Sequence, residues 1–253
     1  EELLANQLAL KRLKRKTRKE SALALNNAEL KSALLKTLPF QLTKSQKKAL
    51  DEIEQDLSND HPMMRLLQGD VGSGKTIVAA LAILIATASN TQAVLMAPTE
   101  LLAEQHYNNL KQWFEPLGVM VALLKSKLPA KKKNMIYEDV ASGVAKVIVG
   151  THALFQSDVE YANLSLVIVD EQHRFGVEQR LSLMKKTGRH QQVPHQLIMT
   201  ATPIPRTLAM TAYGDLDSSV ITELPKGRGE IKTIIVPEEK RNEVVEKISH
   251  DCL

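Results

Sequence analysis

Between about residue 40 and residue 225, short apolar runs alternate with stretches whose apolar positions recur every three or four residues. The short runs predict strands at Met64–Gln68, Ala93–Ala97, Met120–Leu124, Lys146–Gly150, Leu164–Asp170, Gln196–Thr200 and Ser219–Leu224. The longer spacing predicts helices at Lys44–Leu57, Lys75–Ala88, Glu100–Trp113, Ala130–Ala141, Val177–Lys186 and Arg206–Tyr213. Strands that alternate with such helices form βαβ units. The expected fold is therefore α/β, a mostly parallel sheet with helices on both faces.

The flanks read differently. Residues 1–38 carry leucines at rough helical spacing (Leu3, Leu4, Leu8, then Leu23, Leu30, Leu34) until Pro39 breaks the pattern, so N-terminal helices are expected ahead of the sheet. Between the two leucine groups, Lys11–Lys19 is a basic run. Residues 226–253 hold one strand pattern, Ile231–Val236, and a helical pattern from about Glu239. One such unit cannot make a domain and reads as the start of a second one. The chain opens without methionine and stops within the helical pattern Val244, Val245, Ile248, which suggests a piece of a longer polypeptide.

Composition narrows the classes. A formal net charge of +4 suits a polyanionic partner without requiring one. The single cysteine, Cys252, excludes an intrachain disulfide and a cysteine-based zinc site, and a reducing, cytoplasmic setting is the default. The longest apolar run, Ile77–Ala88, is too short to span a bilayer and predicts a buried helix.

The strongest chemical signal is Gly69-Asp70-Val71-Gly72-Ser73-Gly74-Lys75-Thr76, a full match to G-x-x-x-x-G-K-[ST] between a predicted strand and a predicted helix. Glycines let backbone N–H groups close around phosphates, and the helix N-terminus adds partial positive charge. Lys75 neutralises phosphate oxygens and the Thr76 hydroxyl ligates Mg2+, so ATP and magnesium are the expected ligands. A second signal is the buried-strand run Leu164–Val169, which ends in Asp170-Glu171-Gln172-His173. An acid at the end of a neighbouring strand is where the magnesium partner of a phosphate loop belongs. Asp170 takes that role, and Glu171 orients and deprotonates the attacking water. Lys75, Asp170 and Glu171 are thus the catalytic candidates. GTPases are disfavoured, because no Asn-Lys-x-Asp motif occurs.

With both motifs present the chain resembles the superfamily 2 helicases, whose motor domain has a RecA-like P-loop fold. Ala97–Gln105 resembles motif Ia, Val149–Leu154 resembles motif Ib or Ic, and Met199–Pro203 resembles motif III. Asp170–Gly176 and Thr200–Met210 bring the resemblance closest to the RecG family, bacterial ATP-dependent helicases that act on stalled forks and branched DNA. The transcription-repair coupling factors share most of this pattern but usually carry Glu where this chain has Gln172.

The resemblance implies that residues 39–225 form the first RecA-like motor domain, that 1–38 link it to a wedge domain, and that 226–253 begin the second motor domain. It implies DNA, of fork or Holliday-junction type, as partner. Thr99, Glu100, Gly150 and Thr151 would lie near the DNA backbone, and Thr200, Thr202, His173 and Arg206 would couple hydrolysis to movement. Local alternatives stand beside these roles: an N-cap for Thr99, a strand-ending turn for Gly150–Thr151, a surface salt bridge for Arg206 and a buried structural histidine for His173.

Phe40, Thr43 and Gln46 resemble the adenine-reading element that precedes the phosphate loop in many such motors. Thr43-x-x-Gln46 is equally a capping box opening the helix Lys44–Leu57. DEAD-box proteins carry their aromatic further upstream than Phe40. The basic run Lys11–Lys19 is either a solvated helix face or a contact to phosphates; with no aromatic in it, base stacking is not expected there. Two other functions remain open at this level. A P-loop kinase or small-molecule ATPase would explain Lys75 and Asp170 without nucleic acid, and a non-catalytic module would keep the fold alone.

Overall fold

The computed structural model describes residues 20–125, 128–156, 158–171, 192–202, 216–225 and 235–251. Seven strands form one sheet in the order β3-β4-β2-β5-β6-β1-β7, and every neighbouring pair is parallel. They are β1 (Met64–Gly69), β2 (Gln92–Met96), β3 (Val121–Leu124), β4 (Val147–Gly150), β5 (Leu164–Asp170), β6 (His195–Thr200) and β7 (Asp217–Ile221). The described helices are α1 (Glu29–Thr37), α2 (Lys44–Leu57), α3 (Lys75–Ala88), α4 (Glu100–Phe114), α5 (Ala130–Ser142) and α6 (Arg241–Asp251). The expected α/β fold with a parallel sheet is what the chain forms.

Two apolar layers flank the sheet. On one face α1, α2, α3 and α4 bury Leu34, Ile53, Leu57, Leu110 and Phe114 against Leu67, Leu95, Val149, Ile168 and Leu197. On the other, Val140 of α5 joins Leu66, Val94, Ile148, Val167 and Ile198. Alternation along each strand sends neighbouring residues to opposite layers, as Leu66 and Leu67 do. Helix α3 is apolar all round because it lies beneath α1 and α2 as well as against the sheet; Ile77 through Thr87 are all buried. Each fully buried Leu or Ile there contributes about 1.5–3 kcal/mol.

The N-terminal flank departs from its pattern. Leu23 does not continue a helix: α1 begins only at Glu29, whose backbone N–H donates to Asn27 Oδ1 at 3.0 Å. The residues before it run along the end of α2 instead, with Ala22 N–H donating to the Asp60 carbonyl and Leu25 N–H to the Leu57 carbonyl, both at 2.8 Å. Tertiary bonds thus override a local periodicity of three leucines. Leu25 and Leu34, each 1% exposed, belong to the same core as α3.

Strand β7 also ends earlier than its apolar run. Its register against β1, from Arg65–Asp217 to Gly69–Ile221, fixes the ladder, and Val220 and Leu224 are exposed. An edge strand is held by backbone pairing to one neighbour, so its side chains mark its limits poorly. Glu223 leaves the ladder and accepts from Ser45 N–H at 2.8 Å, joining the end of β7 to the first turn of α2. Those bonds from Ser45 hold its carboxyl below the usual carboxylate range. The predicted helices Val177–Lys186 and Arg206–Tyr213, most of the predicted strand Ile231–Val236, the basic run Lys11–Lys19, and Gln172, His173, Arg206 and Cys252 lie outside the described residues. Among the described residues no helix is long and apolar enough to cross a membrane.

Candidate active site

Strands β5, β6 and β1 are adjacent, and their carboxyl ends meet. The ladder aligns Asp170 with Met199 and Met199 with Leu67, and one step further it aligns Thr200 with Gln68. The phosphate loop therefore begins beside Asp170–Glu171 and Thr200–Thr202, although these segments are far apart in the chain. In open parallel sheets this edge is where ligands bind.

The loop is shaped by glycine. Gly72 and Gly74 have φ of 78° and 84°, a region that L side chains rarely adopt. A Cβ at Gly74 would also strike Gln46 Nε2, and one at Gly69 would come within 2.6 Å of Ser73 Oγ. The chain then enters α3, whose N-terminal N–H groups face the loop without a side-chain cap. Lys75 Nζ donates to the carbonyls of Gly69 at 2.6 Å and Asp70 at 3.0 Å. Burial pushes its ammonium below the usual lysine range, against the opposing pull of Asp170, Glu171 and Asp70.

Glu171 has φ of 52°, uncommon for a residue other than glycine. Two bonds hold it there: its N–H donates to the Met199 carbonyl at 2.9 Å, and its Oε1 accepts from Ala201 N–H at 3.0 Å. Thr200 and Thr202 share a hydroxyl–hydroxyl bond of 2.8 Å, and Gln68 Nε2 donates to the Thr202 carbonyl at 3.3 Å. The Thr200–Thr202 segment is thereby tied to both the acidic strand end and the strand that feeds the phosphate loop.

Asp170 has a partner that the sequence motifs did not announce. Its Oδ2 lies 2.8 Å from His106 Nε2 on α4, and both side chains are largely buried. The available signal was a histidine on the apolar stripe Ala103, His106, Leu110, Phe114 of a helix.

Gln46 is 2% exposed, and both ends of its amide are engaged. Oε1 accepts from Thr43 N–H at 2.9 Å, while Nε2 donates to the Ser73 carbonyl at 2.8 Å. With Thr43 Oγ1 accepting from Gln46 N–H, this is the full capping box, and it also anchors the phosphate loop to α2. Phe40 lies half-exposed just upstream.

The segments after β2 and β4 reach the same edge of the sheet. Thr99 caps α4 by accepting from Leu102 N–H at 3.2 Å, and Glu100 follows in the first turn. At Gly150 a Cβ would lie 2.6 Å from the Leu124 carbonyl, so only glycine lets β3 and β4 stay paired there. Thr151 is buried, and its hydroxyl has no hydrogen-bond partner among the described residues.

The residues present suit magnesium held together with a nucleotide. Among the described residues no group of three His, Cys, Asp or Glu side chains could hold a metal alone. Magnesium characteristically takes one or two carboxylates and completes its shell with phosphates and water. Asp170 and Thr76 beside a phosphate loop supply that donor set.

A parallel sheet with a phosphate loop and an acidic strand end beside it is the nucleotide-binding frame of the P-loop class. The DEAD/DEAH box helicase model matches residues 43–211, and the chain belongs to that family. Within it, the chain is homologous over its whole length to the proteins named ATP-dependent DNA helicase RecG. It is 55% identical to that of Haemophilus influenzae over 254 residues, covering 100% of this chain and 37% of the relative. It is 54% identical to that of Escherichia coli K12 with the same coverage. A solved structure of RecG bound to a three-way DNA junction superposes with a TM-score of 0.85 at 42% identity, covering 98% of this chain and 33% of that one. The chain thus spans little more than a third of the length of these relatives.

Proposed function

We propose that this chain is the ATP-binding half of a DNA translocase that remodels stalled forks and other branched DNA in repair and recombination. The observation that carries the reading is the Lys75 ammonium at a phosphate loop, with Asp170 and Glu171 in electrostatic range at the end of β5, one strand beyond β6. The relatives' names and the junction-bound neighbour support DNA as the substrate. Such work belongs in the bacterial cytoplasm, at the nucleoid.

In this reading Gly69–Thr76 binds the β- and γ-phosphates of ATP through backbone N–H groups and Lys75. Thr76 and Asp170 hold magnesium, which when bound neutralises charge developing on the phosphoryl oxygens. Glu171, braced by Ala201 N–H, orients the attacking water and accepts its proton. Phe40 and Gln46 lie against the adenine, which requires Gln46 to give up its bond to Thr43 N–H or to the Ser73 carbonyl. Thr99, Glu100, Gly150 and Thr151 border the DNA backbone, where the N-terminal N–H groups of α4 suit a phosphate. Thr200 and Thr202, with His173 and Arg206, relay the state of the nucleotide to the DNA side.

By the same reading residues 1–38 lead in from a wedge domain and 226–253 open the second motor domain. Val244, Val245 and Ile248, exposed on α6, support the latter. Hydrolysis in such motors needs an arginine from the second domain, so the 253-residue chain should bind nucleotide weakly and turn it over very slowly. The test is the ATPase rate of the full-length protein with and without branched DNA. Strong stimulation, lost in Lys75→Ala and Glu171→Gln, is expected. A rate indifferent to DNA in the presence of a small-molecule acceptor would favour a kinase-like ATPase instead.

A further inference from the structure

We infer that His106 is a positioning residue for the magnesium site, holding Asp170 through helix α4. The inference rests on the assignment of Asp170 to magnesium proposed above. Asp170 ends β5 with its side chain largely buried. A carboxylate only accepts, so His106 Nε2 carries the proton and donates to Oδ2 at 2.8 Å. That bond commits one oxygen to the protein and leaves Oδ1 for the cation or a water in its shell. Partners of this kind orient carboxylate ligands, and their loss typically costs 10–100-fold in metal affinity or activity.

The donor is itself buried, and its Nδ1 has no hydrogen-bond partner among the described residues. His106 is 7% exposed, between Ala103 and Leu110, both fully buried in the layer beneath the sheet. The same helix begins at Thr99 and Glu100, so His106 lies two turns from the proposed DNA edge.

The test uses the full-length protein with His106→Leu, which keeps bulk but no donor, and His106→Gln, which restores an N–H. Thermal shifts are read with ADP in EDTA and with ADP plus Mg2+, and ATPase is titrated with Mg2+. In the Leu variant the expected result is an unchanged shift by ADP alone and a reduced extra shift by Mg2+. The half-saturating Mg2+ concentration should rise about 10-fold or more, with partial recovery in the Gln variant. Parent-like magnesium dependence in the Leu variant would overturn the inference. So would equal loss of the magnesium-free ADP shift in both variants, which marks a purely structural role. If the parent itself shows no magnesium-dependent shift, the assignment of Asp170 fails, and that outcome is distinct from failure at His106.

Discussion

Replacing Gln46 with alanine should destabilise the protein and loosen its phosphate loop together. The side chain bridges two elements: its oxygen closes the capping box with Thr43 N–H, and its nitrogen bonds the buried Ser73 carbonyl. Leaving that carbonyl unsatisfied costs about 1–3 kcal/mol. Losing the reciprocal half of the capping box costs roughly 0.5–1 kcal/mol. The uncompensated loss of a buried methylene adds about 0.8 kcal/mol. The sum, about 2–5 kcal/mol, lowers the thermal midpoint of a domain this size by roughly 5–15 °C.

Circular dichroism melts of the nucleotide-free chain measure the stability loss, and ADP titration measures the loop. Gln46→Glu keeps an acceptor for Thr43 N–H but sets a buried carboxylate against the Ser73 carbonyl, so it should melt below the alanine variant and bind ADP at least as weakly. An alanine variant that melts within about 1 °C of the parent would refute the tether. Comparing ATP with GTP in the same variants tests adenine reading independently, because loosening the loop weakens both nucleotides alike.

Two further outcomes follow from the core. Leu25→Ala and Leu34→Ala should each cost about 2–5 kcal/mol, measured by urea unfolding, because both side chains lie in the main core rather than in a detached leader. His195 is buried between Met63 N–H and the Leu23 carbonyl, and burial pushes its imidazole below the usual histidine range. Since the unfolded state titrates near 6.5, it holds more protons there, and stability should fall as pH drops below about 6.5. The slope for this one group is at most about 1.4 kcal/mol per pH unit. Urea midpoints at pH 7.5 and 5.5 in the parent and in His195→Gln check it, with a flatter response expected in the variant.

The phosphate loop was legible because its chemistry is contiguous: strand, glycines, lysine and helix start follow one another, and local sterics dictate all of them. Asp170 and Glu171 were legible for a similar reason, as acids that end an apolar strand. His106 was not, since a single histidine in a helical stripe has many uses, and only the packing of α4 against β3 and β4, which brings His106 to the end of β5, assigns it one. Gln46 presented two readings in sequence, and the fold adds its bond to Ser73, which no spacing rule encodes. Leu23 misled because three leucines at helical intervals cost nothing locally, while the backbone there finds better partners at Asp60 and Leu57.

By itself the sequence determined the alternation of strands and helices, the parallel sheet and the nucleotide chemistry of Gly69–Thr76. Each follows from periodicity or from residues adjacent along the chain. Only the tertiary structure decided the strand order that sets β5, β6 and β1 side by side, the limits of the edge strand, and the partners of Asp170, Glu171 and Gln46. Those depend on pairing between segments separated by tens of residues, and local pattern holds no record of which segments will meet.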